Sequence, residues 1–173
     1  RNTKAYNNNT FLNSKEARLL RIQCEMLEPE MRLKRLGVDH MITFFGSARP
    51  DEIHQDYKDA YNIAYKLGEW SKQPGDVGIS SGGGPGIMEA VNRGAKDAGG
   101  KSIGMGISLP FEQRNNEYVS SDLDFEFHYF FVRKFYFLYH AKAVVVFPGG
   151  FGTMDELFET LTLIQTKKLG KQM

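Results

Sequence analysis

The chain has 173 residues, 41% of them hydrophobic, and is long enough to form one domain with a substantial core. Its 22 lysines and arginines nearly balance 21 acidic residues, so the net charge of +1 predicts no general affinity for nucleic acid polymers or membranes. The single cysteine cannot form an internal disulfide and no apolar run approaches the roughly 18 residues of a membrane span, so we expect a cytoplasmic protein.

Residues 1–36 are predicted to form an arm followed by a helix that packs on the domain. The arm, up to residue 12, is polar and rich in asparagine. Asn13, with Glu16 three residues later, has the spacing of a capping box, so a helix is predicted from Asn13 to about Arg35. Pro29 is expected to bend or divide this helix. Its apolar face is predicted to consist of Leu20, Cys24, Leu27 and Met31, widened by Leu19, Ile22, Met26 and Leu33.

Residues 37–173 are predicted to form a Rossmann-like domain. Short apolar segments that read as buried strands alternate with segments of helical periodicity. The predicted strands are 41–45, 77–80, 101–107 and 144–147, and the predicted helices include 57–71 and 87–98. This alternation predicts a doubly wound, mostly parallel α/β sheet with helices on both faces. Because such a sheet normally continues with another strand, we expect the domain to be incomplete at its C-terminal end.

The first predicted strand ends in the sequence Gly-Ser-Ala-Arg, at residues 46–49. Ligands bind at the carboxyl ends of the strands in open α/β sheets, so Gly46 and Ser47 are candidate nucleotide contacts. Arg49 either reaches a phosphate or is a solvated loop charge, and its position in the sequence leaves both interpretations open.

The second predicted strand leads into the glycine-rich turn at residues 82–86. It is not the dinucleotide fingerprint, because Ile87 occupies the third glycine position, and it lacks the Gly-Lys-Ser/Thr ending of a Walker A loop. A glycine turn before a helix can still hold a phosphate or pack against a ribose. Glu89 either bonds a nucleotide hydroxyl or complements the helix dipole. The candidate nucleotide-binding residues of this turn are Gly82, Gly83 and Gly84.

Two stretches between the third and last predicted strands leave their roles open. In the polar loop at 108–121, four residues either line a pocket or belong to the solvent-exposed surface, namely Glu112, Gln113, Arg114 and Asn115. Residues 125–139 contain nine aromatic side chains, a density typical of a core or a subunit interface rather than a base-stacking platform. Arg133 and Lys134 interrupt this run, and a cation there needs an anion or an aromatic face. Arg133 could meet Glu156 either as a structural ion pair or as part of a site.

Residues 144–159 carry the clearest candidate anion site. Three valines and a phenylalanine predict a strand buried on both faces, and Pro148 ends it. The glycines that follow allow a tight turn close to a ligand, and Thr153 is predicted to cap the next helix at its N-terminus. The free N–H groups of that helix would bind an anion, although a tight turn that binds nothing remains the alternative. The glycines concerned are Gly149, Gly150 and Gly152.

The sequence PGGFGTMDE at 148–156 matches the PGGxGTxxE signature of the Lonely Guy (LOG) family. This family comprises the cytokinin riboside 5′-monophosphate phosphoribohydrolases and was long labelled possible lysine decarboxylase. Further matches are GSAR at 46–49, SGGGPGIMEAVNRGA at 81–95, SLPFEQ at 108–113 and YFFVRK at 129–134. From about Phe11 onwards, the chain resembles the longer bacterial branch of the family.

The resemblance implies hydrolysis of the N-glycosidic bond of a nucleoside 5′-monophosphate, AMP or an N6-modified AMP, to free base and ribose 5-phosphate. It assigns catalysis to Arg133 and Glu156. The carboxylate of Glu156 would stabilise positive charge on the ribose or activate water, and Arg133 would orient the phosphate or assist the departing base. Residues 37–173 would be the nucleotide-binding domain. Its nucleotide-binding residues would be Gly46, Ser47, Gly82, Gly83, Gly84, Glu89, Lys134, Gly149, Gly150, Gly152 and Thr153.

The resemblance implies no cofactor and no metal, and the four histidines lack metal-ligand spacing. Because members of the family form dimers or larger assemblies, a homodimer or higher homo-oligomer is expected. A non-catalytic nucleotide sensor or carrier on the same fold is the main alternative, although it would not require both Arg133 and Glu156. Lysine decarboxylation would need a lysine bound to pyridoxal phosphate, and no pattern around Lys134 supports that use.

Overall fold

The computed structural model describes residues 3–108 and 114–169. Its centre is a five-stranded sheet in the order β4-β3-β2-β1-β5, with every neighbouring pair parallel. The strands are β1 (His40–Phe45), β2 (Val77–Ser81), β3 (Lys101–Ile107), β4 (Asp124–Phe127) and β5 (Ala141–Val146). Six α-helices surround the sheet in the described ranges: α1 (Asn9–Leu12), α2 (Arg18–Arg35), α3 (Gln55–Ser71), α4 (Ile87–Asp97), α5 (Phe130–Tyr139) and α6 (Phe151–Gln165). The predicted Rossmann-like α/β fold is therefore confirmed.

Two apolar cores lie on opposite faces of the sheet, because successive side chains of each strand alternate between the faces. On β1, Met41 and Phe45 join a core that includes α2 and α5, whereas Ile42 and Phe44 join a core made with α3 and α4. The rings of Phe45 and Phe137 pack edge to face with their centroids 5.2 Å apart. No helix in the described part of the chain is long and apolar enough to cross a membrane.

The start of the first long helix differs from its prediction. Asn13 does not cap this helix, because it ends α1, where its side-chain amide donates a hydrogen bond to the carbonyl of Asn9 at 2.8 Å. Asn8 caps α1 instead and accepts from the N–H of Phe11. The long helix α2 begins only at Arg18, and Pro29 does not divide it.

Only part of the predicted apolar face of α2 contacts the core. Leu27 and Met31 are 62% and 70% exposed, and Leu20 and Cys24 are exposed as well. The buried side consists of three residues that were predicted to widen this face: Leu33 is fully buried, and Ile22 and Met26 pack against the same core. Three hydrogen bonds hold α2 in this orientation. The carboxylate of Glu25 accepts from the backbone N–H groups of His128 and Tyr129, and the hydroxyl of Tyr136 donates to the Met26 carbonyl.

The aromatic stretch divides between a strand and a helix. Four of its aromatic side chains are buried, namely Phe125 and Phe127 on β4 and Tyr136 and Phe137 on α5. Four others on α5 are between 39% and 58% exposed: Phe130, Phe131, Phe135 and Tyr139. The buried group belongs to the core, as predicted. A subunit interface formed by the exposed group remains a prediction.

The strand β5 is less buried than its sequence predicted. It pairs with β1 alone among the described strands and therefore forms an edge of the sheet. Val144 packs against one core and Val145 against the other, but both are only half-buried and Val146 is 38% exposed, so both faces are covered in part and not fully as predicted.

Candidate active site

A cleft of about 930 Å³ opens at the carboxyl ends of β1 and β5. The chain builds the sheet in one direction from β1 to β4 and then crosses back to place β5 on the other side of β1. The strand order therefore reverses between β1 and β5, which is where open α/β sheets bind their ligands. The cleft is lined by residues 46–50 and 148–154, together with His54, Asp56, Met88, Arg133 and Glu156.

The loop after β1 forms one wall of this cleft and is fixed by its backbone. The N–H of Ser47 donates to the carbonyl of Pro148 at 3.1 Å, and its carbonyl accepts from the N–H of Ile87 at 2.9 Å. A Cβ on Gly46 would lie 2.6 Å from the Ile87 side chain, so only glycine allows this close approach. Gly46 and Ser47 therefore lie on the cleft and link the two glycine turns.

The opposite wall is the glycine turn between β5 and α6. The helix begins at Phe151 with Gly150 as its N-cap, so the prediction that Thr153 caps the helix is wrong. Thr153 instead lies within the first turn and is buried, because its side chain packs beneath Gly149, where a Cβ would collide with it. Gly150 and Gly152 face open space, since a Cβ added to either glycine would meet no other atom within 4 Å.

This first turn of α6 is suited to an anion. The leading N–H groups of a helix have no partner within the helix and carry the positive end of its dipole. Residues 150–153, which supply these groups, all line the cleft. The side chain of Phe151 is 96% exposed at the cleft mouth. The turn can therefore hold a phosphate without a lysine or arginine at that point.

Arg133 on α5 is half-buried at the base of the cleft and is held by protein acceptors. Its Nε donates to the carbonyl of Met105 at 2.7 Å, and its Nη2 lies 3.4 Å from the carbonyl of Gly82. Its guanidinium also lies over the ring of Phe137 at 5.0 Å. Burial lowers the pKa of Arg133, while the negative charge of Glu156 opposes this shift. The guanidinium is therefore fixed in position before any ligand binds.

Glu156 on α6 is half-buried and lines the same cleft. Burial raises the pKa of Glu156 to about 7, against the opposing effect of Arg133. Between these two described side chains there is no salt bridge within 4.0 Å. A carboxyl with a pKa close to neutrality populates both protonation states, which is the property of a group that transfers protons or stabilises developing charge.

Lys134 and Glu89 do not line the cleft. The ammonium of Lys134 pairs with the carboxylates of Asp155 and Glu159, each at 2.7 Å. The carboxylate of Glu89 accepts from the hydroxyl of Tyr57 at 2.9 Å. Their predicted contact with nucleotide remains a prediction, and in the structure both are engaged by protein groups.

Gly82, Gly83 and Gly84 also lie outside the cleft lining, and protein atoms occupy the space around them. A Cβ on Gly82 would lie 2.6 Å from Nη2 of Arg133, and one on Gly83 would collide with Asn115. The backbone N–H and side-chain amide of Asn116 both donate to the Gly83 carbonyl. The turn thus shapes the position of Arg133 rather than presenting open glycines. Glu112 and Gln113 lie outside the described residues, and Arg114 does not line the cleft.

Sequence reasoning missed several cleft residues. Met88 and Met154 each follow a glycine turn inside the first turn of a helix, and that position could have indicated them. His54 and Asp56 lie in a segment without a motif, so no sequence signal pointed to them. The imidazole Nδ1 of His54 accepts from the N–H of Asp56 at 3.1 Å and caps α3. In residues 3–108 and 114–169, no group of three or more His, Cys, Asp or Glu side chains could hold a metal ion.

Comparison with known proteins gives three findings. A family model described as "Possible lysine decarboxylase" matches residues 88–172, a range that includes Met88, Arg133 and Glu156. An uncharacterized protein of Archaeoglobus fulgidus is 30% identical over 128 residues, which make up 73% of this chain and 73% of that protein. The X-ray structure of TM1055, a structural genomics target, superposes with a TM-score of 0.51 at 29% identity and covers 72% of this chain and 69% of its own.

Proposed function

Because the chain belongs to the Lonely Guy family, whose family model carries the description possible lysine decarboxylase, we propose that it hydrolyses the N-glycosidic bond of a nucleoside 5′-monophosphate. The products are the free base and ribose 5-phosphate, and the substrate class is AMP or an N6-modified AMP. The enzyme is thus a phosphoribohydrolase that needs no cofactor.

One observation carries this proposal. The cleft combines an open glycine turn at a helix N-terminus with a half-buried carboxyl, Glu156, whose pKa burial raises to about 7. The first feature suits a phosphate and the second suits a sugar that becomes positively charged. Both lie on the lining of a single cleft, so one nucleotide can meet them together.

The reaction divides between these groups. The N–H groups and glycines at 149–153 hold the 5′-phosphate, which places the ribose toward Glu156. Water adds its oxygen to C1′ as the bond to the base breaks, and the base leaves with a proton. The carboxylate of Glu156 stabilises the positive charge on the ribose and activates the water. Arg133, already fixed by the Met105 carbonyl, supplies a positive charge near the phosphate or the departing base.

Decarboxylation of lysine fits this cleft poorly. A lysine that forms a Schiff base must be available as a neutral amine in the site. No lysine lines the cleft within the described ranges. Burial lowers the pKa of Lys134, but its bonds with Asp155 and Glu159 outweigh this effect and raise the pKa above its ordinary value. Lys134 is therefore held as an ammonium.

A nucleotide sensor or carrier is the second candidate, favoured by the open glycine turn alone. A binding protein has no use for Glu156, since an anionic carboxylate near the phosphate weakens nucleotide binding. The presence of this half-buried carboxyl on the same cleft as Arg133 supports hydrolysis.

The experiment is chromatography of the free base released from AMP, GMP, CMP and N6-isopentenyl-AMP. We expect the wild type to release base from an adenine nucleotide, with ribose 5-phosphate in equal amount. Glu156→Gln should lower the rate by a factor of about 10² or more. Glu69→Gln removes an exposed carboxylate of α3 that does not line the cleft, and it should retain the wild-type rate.

Two results would contradict the proposal. If no nucleotide released its base while AMP still bound, the sensor interpretation would replace it. If Glu156→Gln hydrolysed AMP at the wild-type rate, the role given to this carboxyl would be wrong.

A further inference from the structure

We propose that Lys134 is a positioning residue that clamps α6 against α5 through Asp155 and Glu159 and so sets the position and charge environment of Glu156. This inference rests on the proposed function for its catalytic meaning. It replaces the expectation that Lys134 contacts the nucleotide.

The ammonium of Lys134 on α5 bridges two carboxylates of α6. The Nζ atom of Lys134 lies 2.7 Å from a carboxylate oxygen of Asp155 and 2.7 Å from one of Glu159. These acidic residues are four apart on α6 and therefore lie on the same side of that helix. The side chain of Lys134 is 23% exposed, whereas those of Asp155 and Glu159 are 59% and 37% exposed, so solvent screens both pairs in part.

Lys134 and Asp155 are each adjacent in sequence to a charged residue of the cleft lining. Lys134 follows Arg133 on α5, and Asp155 precedes Glu156 on α6. An ion pair between residues adjacent to the two cleft groups fixes the helix that carries Glu156 relative to the helix that carries Arg133. Because Arg133 is tied to the carbonyls of Met105 and Gly82, its position is set independently of the clamp. Lys134 therefore helps to place α6 relative to this fixed guanidinium.

Negative charge is concentrated on the part of α6 that carries Glu156. α6 presents three carboxylates within five residues, those of Asp155, Glu156 and Glu159. The positive groups facing them from α5 are Arg133 and Lys134. Burial raises the pKa of Glu156. The positive charges of Arg133 and Lys134 lower this pKa, and the negative charges of Asp155 and Glu159 raise it further. The remaining charged or titratable groups on the cleft lining are Arg49, His54 and Asp56.

Loss of Lys134 therefore has a defined consequence for Glu156. It removes one neighbouring positive charge and leaves the negative charges of Asp155 and Glu159 without their partner. Both changes disfavour the ionised form of Glu156, so its pKa should rise, by about 0.5–1 unit because solvent partly screens these charges. Because the carboxylate form is the active one in the proposed reaction, hydrolysis at acidic pH should fall by about three- to tenfold as a result.

The test is a carboxyl ¹³C NMR titration of Glu156, assigned with Glu156→Gln, in the wild type, Lys134→Met and Lys134→Arg. We expect a higher pKa of Glu156 in Lys134→Met and a value close to wild type in Lys134→Arg. Lys101→Met is the matched control, because the ammonium of Lys101 is also tied by two short bonds, to the carbonyls of Gly37 and Gly75, and does not line the cleft. It should leave the titration unchanged.

An unchanged pKa of Glu156 in Lys134→Met would overturn the inference. If Lys134→Met does not fold, Asp155→Asn serves instead, since loss of that negative charge should lower the pKa of Glu156, and no shift would count against the inference.

The same variants assayed for AMP hydrolysis from about pH 5 to 9 separate this inference from the proposed function. We expect the acidic limb of the kcat profile of Lys134→Met to move to higher pH. A higher KM for AMP with an unmoved limb would identify a phosphate contact and overturn the clamp. If the NMR shift occurs but the wild type releases no base, the clamp stands and the proposed function fails.

Discussion

Two glycine turns of this protein look alike in the sequence and differ in the structure. Residues 82–86 lie between a strand and a helix, and residues 149–152 follow a strand and enter the first turn of a helix, so each could hold a phosphate. Around the first turn, the side chains of Arg133, Asn115 and Met88 fill the space beside the glycines. In the second, Gly150 and Gly152 face an open cleft. Glycine thus permits close approach of the protein in one turn and leaves room for a ligand in the other.

The largest expected change is in the free energy of unfolding, on substitution of Gly83 in the filled turn. Its φ of +76° is a conformation that side chains rarely adopt, and a Cβ there would collide with Asn115. Gly83→Ala combines backbone strain with overpacking, so the free energy of unfolding should fall by about 2–4 kcal/mol. Urea denaturation measures this directly. A loss of less than about 0.5 kcal/mol would mean that the turn is not as filled as the structure indicates.

A somewhat smaller change in the free energy of unfolding is expected on substitution of Glu156 in the open cleft, and it depends on pH. Burial raises the pKa of Glu156 from 4.5 to about 7, so the native state binds more protons than the unfolded state between these values. The stabilising contribution of this group is complete below its ordinary pKa and is lost as the pH rises through about 7. Glu156→Gln removes this dependence.

The free energy of unfolding of Glu156→Gln, relative to that of the wild type, should therefore rise by on the order of 2–3 kcal/mol between about pH 4 and pH 8. Denaturation of both proteins at the two pH values is the measurement. A difference that stays constant with pH would show that Glu156 titrates normally, and its proposed role would lose its electrostatic basis.

The sequence predicted the regular part of this fold well. The strands around residues 41–45, 77–80 and 101–107 were found within one residue of their predicted ends, because buried strands are encoded by short apolar runs with clear boundaries. The predicted apolar face of α2 was right only for Ile22, Met26 and Leu33, since apolar residues surround much of this helix. The bonds from Glu25 to the backbone of residues 128–129, which orient it, are distant in sequence.

The candidate site was predictable where it depended on backbone and not where it depended on side-chain partners. The turn after β1 and the turn before α6 lie on one cleft because the strand order reverses between their strands, which the α/β pattern implies. The engagement of Lys134 by Asp155 and Glu159 depends on how α5 and α6 pack, and no local pattern encodes that contact. Thr153 resembles an N-cap residue, but Gly150 takes that position and Thr153 packs beneath Gly149.

The smallest expected effect tests the central claim most directly, namely that the nucleotide phosphate binds at the open turn and not at the filled one. The measurement is calorimetric titration of AMP into Glu156→Gln, which prevents turnover, with Gly150→Ala or Gly84→Ala added. A Cβ on Gly150 meets no protein atom and would occupy the open turn, whereas one on Gly84 meets only the flexible end of Met88 at 2.8 Å.

We expect Gly150→Ala to weaken AMP binding about tenfold, or about 1.4 kcal/mol, because the added methyl group keeps the phosphate from the N–H groups of α6. Gly84→Ala should bind AMP within about twofold of its parent. Weaker binding in Gly84→Ala together with unchanged binding in Gly150→Ala would contradict the account, because it would place the phosphate at the other turn.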